Sequence, residues 1–538
     1  MKKLRISFLV DSKRIQKWQK DLIEDVSNRS NFTIDSILIP GDIDNTNEKK
    51  DSGSNNFLFK VYRTLDQKIF GSDYLNIVDI SNYEEYYEFI SLDYKKVGYR
   101  DYFSEKSIND IKRRNIDVVI RLGFRILSGE ILACSNYGIW SFHHADNRIN
   151  RGGPAGFWEI FNKESITGAT LQILNESLDG GIVIDKCFTR TRFHSLAKNK
   201  ESIIEASNIL ILSKLEELSA DRNISNIISN KTNQKLIDIY DRSIYLSPTF
   251  LQLIKYILRI FKEIALMIFN KICSRDEWFI AFKKYNKKSL NFSSLTVLKN
   301  KKGYFKADPF LFKYDNKNWI FYEICKINRG KGWVEAYCID DGTTHHVLEE
   351  SWHLSYPNIW SHNGNVYMMP QSDNGEVNVY ICEEFPSKWK LINKLISSDK
   401  DRFGDPTIYN NNIILTMYDN NLKANDRLYI LKDVDLYKGK YTVDDLKLLI
   451  SDVRNSRSAG NILRIENNDY RISQNCENGY GISINVNLIN DDIKGELVET
   501  INPKFISNAY GVHTLNVNDE YLCVDFKKKR YNLYLGAR

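Results

Sequence analysis

No two of the eight cysteines stand in a CxxC spacing; they lie scattered from Cys134 to Cys523. That argues against a zinc ribbon or a compact disulfide framework, so no metal site is expected, and reduced thiols in a cytoplasmic protein are the plain expectation. Charge of one sign is also lacking. The 75 basic and 69 acidic residues leave a net +6 over 538 residues, too diffuse for a nucleic-acid partner, and the run Lys527–Arg530 reads as solvated surface. Nor is there a long uncharged apolar run. The most apolar stretch, FLQLIKYILRIFKEIALMIFNKIC at 250–273, is interrupted by Lys255, Arg259, Lys262, Glu263 and Lys271, which excludes a simple membrane span. At about 100° per residue the first four of those charges share one stripe opposite a broad apolar face. The segment is expected as a helix, either buried against a neighbouring domain or making peripheral contact with a membrane surface. The opening MKKLRISFLVDS superficially resembles a signal peptide, but its apolar run is only ISFLV and Asp11 follows at once, so a first buried strand is expected.

What is present is enough chain for two or three cores. Residues 1–195 alternate apolar strands (RISFLV, TIDSILI, VVIRLGF, TLQIL, GIVIDKCF) with helix-like stretches at Lys13–Ser27 and Ser104–Asn115. This is the pattern of an α/β domain with a largely parallel sheet. Residues 42–56 read as a polar loop, and 196–285 as a helical linker. From 286 to 538 the texture becomes short strands and Asn, Asp or Gly turns, and it repeats. Segments beginning ADPFLF, SYPNIW, GDPTIY, SAGNIL and GVHTLN each carry two apolar strands around a turn. From Asp308 to Tyr356, Asp405, Ala459 and Val512 the steps are 48, 49, 54 and 53 residues. A hairpin-bearing period near 50 is expected of propeller blades, here five.

The densest chemistry lies in WSFHHADNRINRGGPAGFWE, residues 140–159. Strand alternation places Ser141 and His143 on one face, Phe142 and His144 on the other. These residues, with T-G-A-T at 167–170 and L-D-G-G at 178–181, resemble the N10-formyltetrahydrofolate-dependent formyltransferases, whose motif runs G-x-I-N-x-H-P-S-x-L-P-x-x-R-G, then T-G-x-T, then L-D-x-G. Nine residues separate the family's histidine from its glycine, as they do His143 from Gly152. The resemblance covers roughly residues 60–190. It implies a Rossmann-like domain that binds N10-formyltetrahydrofolate. His143 would stabilise the oxyanion formed when an amine attacks the formyl carbon, and Asp179 would orient His143 and assist proton removal. Gly123, Phe124, Arg125, Ile126 and Leu127, together with Gly152, would contact the folate. The family's second oxyanion donor, an asparagine, is here Ser141. Either Ser141 substitutes, directly or through water; or Asn147 or His144 fills the role; or the domain binds without transferring. Arg148 and Arg151 read as surface charge or as contacts to the phosphates of the acceptor.

The repeating half resembles five-bladed propellers of the arabinanase and xylosidase type, and more narrowly the N-terminal module of glucosamine inositolphosphorylceramide transferases, through ADPFLF, YPNIW with MMPQS, GDPTI, and AGNIL with ISQN. By that resemblance Asp308 is a candidate base and Asp405 its partner, with Glu323, Gln371 and Gln474 near them in the repeat and no acid identified opposite. A carbohydrate-recognising propeller is expected, with Trp333, Trp352, Trp360 and Trp389 as candidates to stack on sugar rings. Together the two resemblances point to formyl transfer onto an amine, an amino sugar or nucleotide-linked amino sugar of a surface polysaccharide. The alternatives are a carbohydrate-binding protein with a degenerate first domain, and glycosyl or phosphosugar transfer at the propeller.

Overall fold

The strand β1 (Leu4–Leu9) is buried at every position but Arg5, as a strand covered on both faces must be. It is the centre of a nine-stranded sheet in the computed structural model, which describes residues 2–44, 57–177, 180–228, 244–285, 290–327, 330–419, 425–490 and 492–531. The chain divides into two units, Met1–Ile264 and Ala265–Arg538. In the first, β1 is followed by β2 (Phe32–Asp44), β3 (Glu88–Val97), β4 (Arg100–Phe103), β5 (Val118–Arg121), β6 (Ile126–Ser128), β7 (Ile139–His143), β8 (Ile166–Ile173) and β9 (Ile182–Arg190). The order is β9-β8-β7-β5-β1-β2-β3-β4-β6. Strands β7, β5, β1, β2 and β3 run parallel, whereas β8 is antiparallel to both its neighbours. The chain leaves β1 toward β2 and later returns to β1's other side as β5. That reversal is a topological switch point, and ligands in such sheets bind outside the carboxyl ends of the strands there.

Helices α1 (Lys17–Ser27), α2 (Phe57–Phe70), α3 (Glu105–Arg113), α4 (Phe157–Asn162) and α5 (Leu196–Asp221) belong to this unit. The N-terminus of α3 is capped by Ser104, which accepts from Ser107 N, with Glu105 in the first turn and Lys112 and Arg113 in the last, the signs that suit a helix dipole. Most of the loop expected at 42–56 lies outside the described residues. The stretch expected as a linker divides. Helix α5 packs along β8 and β9 and buries Leu210, Ile211, Leu215 and Leu218. Its N-terminus is held by α2, whose Asp66 accepts from Ala197 N at 2.6 Å and from the Ser195 hydroxyl at 3.1 Å. The amphipathic segment is helix α6 (Phe250–Cys273), which buries only Leu253, Tyr256 and Ile260. Ser274–Lys284 is already a strand of the second unit.

That second unit is a five-bladed β-propeller. The first strands of its blades are Tyr304–Tyr314, Leu354–His362, Asp401–Tyr409, Arg457–Ser458 and Ala509–Val517. The fifth blade joins Ala509–Val517 and Tyr521–Tyr531 to Ser274–Lys284 and Thr296–Leu298, so strands from both ends of the module close the ring. In four blades the first strand is interrupted by a bulge, at 307–310, 355–358, 404–407 and 512–515. Asp308, Tyr356 and Asp405 sit in these bulges with left-handed φ of 50°, 46° and 49°, each before a proline. The fifth equivalent is His513, one residue beyond the Val512 of the sequence alignment.

Candidate functional site

A cavity of about 430 Å³ opens at the switch point, lined by residues in or just after the carboxyl-terminal parts of β1, β5 and β7: Asp11, Arg121, Gly123, Phe124, Ser141 and His144, with Trp18, Gln19 and Phe142 around them. Gln19 links α1 to the end of β5 by donating to the Leu122 carbonyl at 2.7 Å. Phe124 is held at φ 63° by donating its amide to the Asp11 carboxylate. The serine in the motif is not isolated. Arg121 and Ser141 are register partners on parallel strands, and the guanidinium donates to Ser141 Oγ at 3.0 Å and to the carbonyls of Phe124 and Arg125 at 2.8 and 2.6 Å. Sequence reasoning missed Arg121; its signal was an arginine closing an otherwise apolar strand, DVVIR.

The two histidines separate as alternation requires. His143, Thr170 and Lys186 form one row across β7, β8 and β9. His143 Nε2 lies 2.8 Å from the Asn150 carbonyl, which can only accept, so Nε2 carries a proton. Below this row Glu159 is buried, and burial raises its carboxyl despite a hydrogen bond with Asn150. On the other face the His144 ring stacks on Phe142 at 5.8 Å and meets Trp18 edge-on at 6.1 Å. Among the described residues its Nε2 is buried without a hydrogen-bond partner, as is Gln172 Oε1 on the strand position paired with Ser141. Burial, then the positive charges of Lys200, His143 and Arg121, push His144 down to about 3.

An unfolded histidine titrates near 6.5, so His144 contributes stability that is full above pH 6.5 and is lost as pH falls toward 3. The first unit is expected to be about 2 kcal/mol less stable at pH 5 than at pH 7 from this group. Thermal unfolding at the two pH values reads it, and His144→Gln should remove most of the difference.

The other sequence candidates are placed as follows. Arg125 is committed to Asp101, with contacts of 2.7 and 2.9 Å, and to the Gly98 carbonyl at 2.8 Å. Leu127 is 3% exposed in the core, and Ile126 precedes it in β6. Of the six residues expected against folate, Gly123 and Phe124 are the ones on the cavity. Gly152, at φ 96°, bridges to Tyr245, whose carbonyl oxygen would lie 2.1 Å from a Cβ. Arg148 forks Asp146, which also meets Lys186 at 2.6 Å. Burial works against the Asp146 charge, but these two cations outweigh it and hold the carboxyl down at about 2. Asn147 accepts from Lys186 at 2.8 Å, and Arg151 donates to the Asn147 carbonyl at 2.9 Å. The loop 145–151 is thus cross-braced from within. Asp179 lies outside the described residues.

Along the propeller axis the bulges turn polar groups inward. Asp308 Oδ1 accepts from Thr514 at 2.8 Å and lies 3.3 Å from His513 Nε2, while Oδ2 accepts from Tyr356 N at 3.2 Å. His513 Nδ1 is 2.7 Å from Asp525. Burial opposes the charge on His513, but the carboxylates of Asp525 and Asp308 prevail and raise it. Asp405 is forked by Arg457 at 2.6 and 3.0 Å and accepts from Gln474 at 3.0 Å, while Gln371 accepts from Asp405 N at 2.9 Å. Burial raises Asp308 and pushes Glu323 up to about 8, against the pull of His513. Their contribution has the opposite sign to that of His144. It is present at acid pH and lost as pH rises through the folded-state values, so propeller unfolding at pH 6 and pH 8 should show lower stability at pH 8, and Glu323→Gln should flatten the trend. Asp308, His513 and Asp525 bring ligand atoms within 4.8 Å of one another, as do Glu323, Cys325 and His353; the first set is paired internally, and Glu323 lies 3.4 Å from His353. Of the four tryptophans considered for sugar stacking, Trp352 and Trp389 pack on a core shared by the first and second blades and Trp333 on one shared by the first and fifth. Trp360 lines a cleft of about 590 Å³ with His362, Tyr437 and the amides of Asn358, Asn411 and Asn461.

Residues 293–510 match the sequence model of the family described as glucosamine inositolphosphorylceramide transferase 1, N-terminal. Over 208 residues the chain is 29% identical to glucosamine inositolphosphorylceramide transferase 1 of Arabidopsis thaliana, a match covering 34% of this chain and 25% of that protein. Over 138 residues it is 28% identical to methionyl-tRNA formyltransferase of Prochlorococcus marinus, covering 25% of this chain and 41% of that enzyme. Among solved structures, phosphoribosylglycinamide formyltransferase from Bacillus halodurans aligns with 12% identity and a TM-score of 0.27, over 42% of this chain and 100% of that one. The matches thus span less than half the length of either curated relative. The chain joins a formyltransferase-like α/β unit to a five-bladed propeller similar to the N-terminal module of glucosamine inositolphosphorylceramide transferase.

Proposed function

We propose that the first unit transfers a formyl group from N10-formyltetrahydrofolate to the amine of an amino sugar. The observation that carries this reading is the set of groups converging on the switch-point cavity: Ser141 held by Arg121, a neutral His144 with an orphaned buried nitrogen, and aromatic walls from Trp18, Phe124 and Phe142. The cavity falls within the roughly 300–1,000 Å³ of small-molecule sites, and its mix of rings and unpartnered polar atoms fits a flat heteroaromatic ligand. Bound there, N10-formyltetrahydrofolate supplies an electrophilic formyl carbon.

The chain's own groups do the rest. Arg121 and Ser141 place a positive charge and a hydroxyl donor where negative charge develops on the formyl oxygen. His144, kept neutral by burial, would offer its ring N–H to the bound ligand. His143 would take the proton of the attacking amine at the ring nitrogen not turned to the Asn150 carbonyl as the new C–N bond forms, Asp179 would assist that removal, and the proton would pass to N10 of the folate as its bond to the formyl carbon breaks and tetrahydrofolate leaves. The acceptor class is supported by the propeller, because the relatives it resembles act on glucosamine by name, and by the cleft at Trp360, where an indole and several amides suit a sugar face. A second reading, carbohydrate binding without transfer, is favoured by one feature: the Ser141 oxygen already accepts from Arg121. Calorimetry with 5-formyltetrahydrofolate, followed by mass analysis of nucleotide-linked amino sugars incubated with N10-formyltetrahydrofolate, separates the two. Folate binding with N-formyl product supports transfer. Binding to sugar alone, with no folate heat and no formyl product, would establish the second reading.

A further inference from the structure

We propose that helices α2 and α6 form a docking surface for an anionic phospholipid bilayer. Helix α6 has three faces. One is buried through Leu253, Tyr256 and Ile260. A second carries Lys255, Arg259 and Lys262. The third is apolar and open to solvent: Phe250 is 59% exposed, Leu251 76%, Leu258 65% and Phe261 65%, with Ile254 between them. At the helical period these five fall within an arc of about 100°. Toward its C-terminal end the same helix leaves Met267, Phe269 and Ile272 at least half exposed. Helix α2 repeats the pattern. It buries Phe59 and Asp66 and exposes Phe57, Leu58, Val61, Leu65 and Ile69 along one stripe. The two helices are neighbours, with the rings of Tyr62 and Tyr256 5.5 Å apart.

Exposed apolar stripes on two adjoining helices mark an interaction surface, and the charges around them choose the partner. Lys60, Arg63 and Lys68 of α2 join the basic stripe of α6 and Lys271, whereas the acids are Glu263 and Asp66, the latter buried at the start of α5. A second copy docking by a two-fold axis would set these basic groups against themselves, while anionic headgroups complement them. Helix α6 is about 36 Å long, and no helix of the described residues is long and apolar enough to cross a membrane. A helix that lies in the interface, apolar side down and basic side toward the headgroups, satisfies both facts.

The test is co-sedimentation of the full chain with vesicles of phosphatidylcholine alone and of phosphatidylcholine mixed with phosphatidylglycerol. Wild type is expected to bind the mixed vesicles at least about tenfold more tightly. The pair Leu258→Asp with Phe261→Asp, and independently Leu65→Asp with Ile69→Asp, should each weaken that binding about tenfold or more. Lys60→Glu with Lys262→Glu should remove the preference for the anionic mixture. Unchanged circular dichroism and melting temperature show that the exposed substitutions leave the fold intact. No wild-type binding to mixed vesicles, or equal binding by wild type and both apolar pairs, overturns the proposal. A dimer seen by light scattering and abolished by the apolar pairs would assign the surface to a second copy and overturn it equally.

Discussion

His143→Ala is expected to lower kcat for formyl transfer by about 10²–10⁴, the range for loss of a positioned acid–base group. The KM for the formyl donor should change only a few-fold, because the cavity that would hold the donor is lined by Trp18, Phe124, Phe142 and His144, while His143 is assigned to the attacking amine. The Asn150 carbonyl, 2.8 Å from Nε2, makes the effect specific to the imidazole, since a side chain of similar size with no basic nitrogen cannot exchange a proton at that point. Arg121→Met is the companion test. Removing a donor aimed at developing charge costs about 10²–10³ in rate, and here it also frees the Ser141 hydroxyl that the guanidinium holds at 3.0 Å. Steady-state kinetics of both variants separate the roles. A loss in kcat alone marks a group acting in the transition state, and a rise in KM alone marks one that only binds.

Arg457→Met is expected to destabilise the propeller by about 3–5 kcal/mol, the cost of leaving a buried partner charge uncompensated. Arg457 and Asp405 are 10% and 3% exposed at the side chain and form a two-pronged pair, and Arg457 also lies 5.0 Å over the ring of Tyr480. Gln474 and Gln371 cannot replace the charge. Arg464→Ala, which breaks the surface pair with Asp469 across an arginine 73% exposed, should cost no more than about 1 kcal/mol. Denaturant unfolding of the two variants should therefore differ several-fold in lost stability. A small effect for Arg457→Met would mean that the Arg457–Asp405 pair does not hold the propeller together.

The propeller was legible because three blades repeat the same small device, a residue before proline in a bulged first strand. Asp308, Tyr356 and Asp405 announced the period. His513 escaped because its blade has no proline, and alignment on apolar residues set Val512 in its place. The strand at Ser274–Lys284 was hidden for another reason: its hydrogen-bonding partner, Tyr521–Tyr531, lies at the far end of the module, and no local pattern reveals such a closure. In the first unit the faces of Ser141 and His143 followed from strand alternation. The cavity did not, because Asp11, Arg121 and Ser141 meet only once β1, β5 and β7 lie side by side. The strands Glu88–Val97 and Arg100–Phe103, near the sheet edge, carry charges among their apolar residues and lacked a clean period. For α6 the wheel displayed the apolar faces, but only packing decides that Leu253 is covered and Leu258 is not.

The most direct test of the central claim, that the carboxyl ends of β1, β5 and β7 hold a formyl-transfer site, is a single-turnover reaction with isotopically labelled formyl on N10-formyltetrahydrofolate and a nucleotide-linked amino sugar. Wild-type protein is expected to move the label into an amide on the sugar, and His143→Ala to do so at least about 10²-fold more slowly. Label that stays on the folate with wild type, or moves equally fast in both proteins, would contradict it.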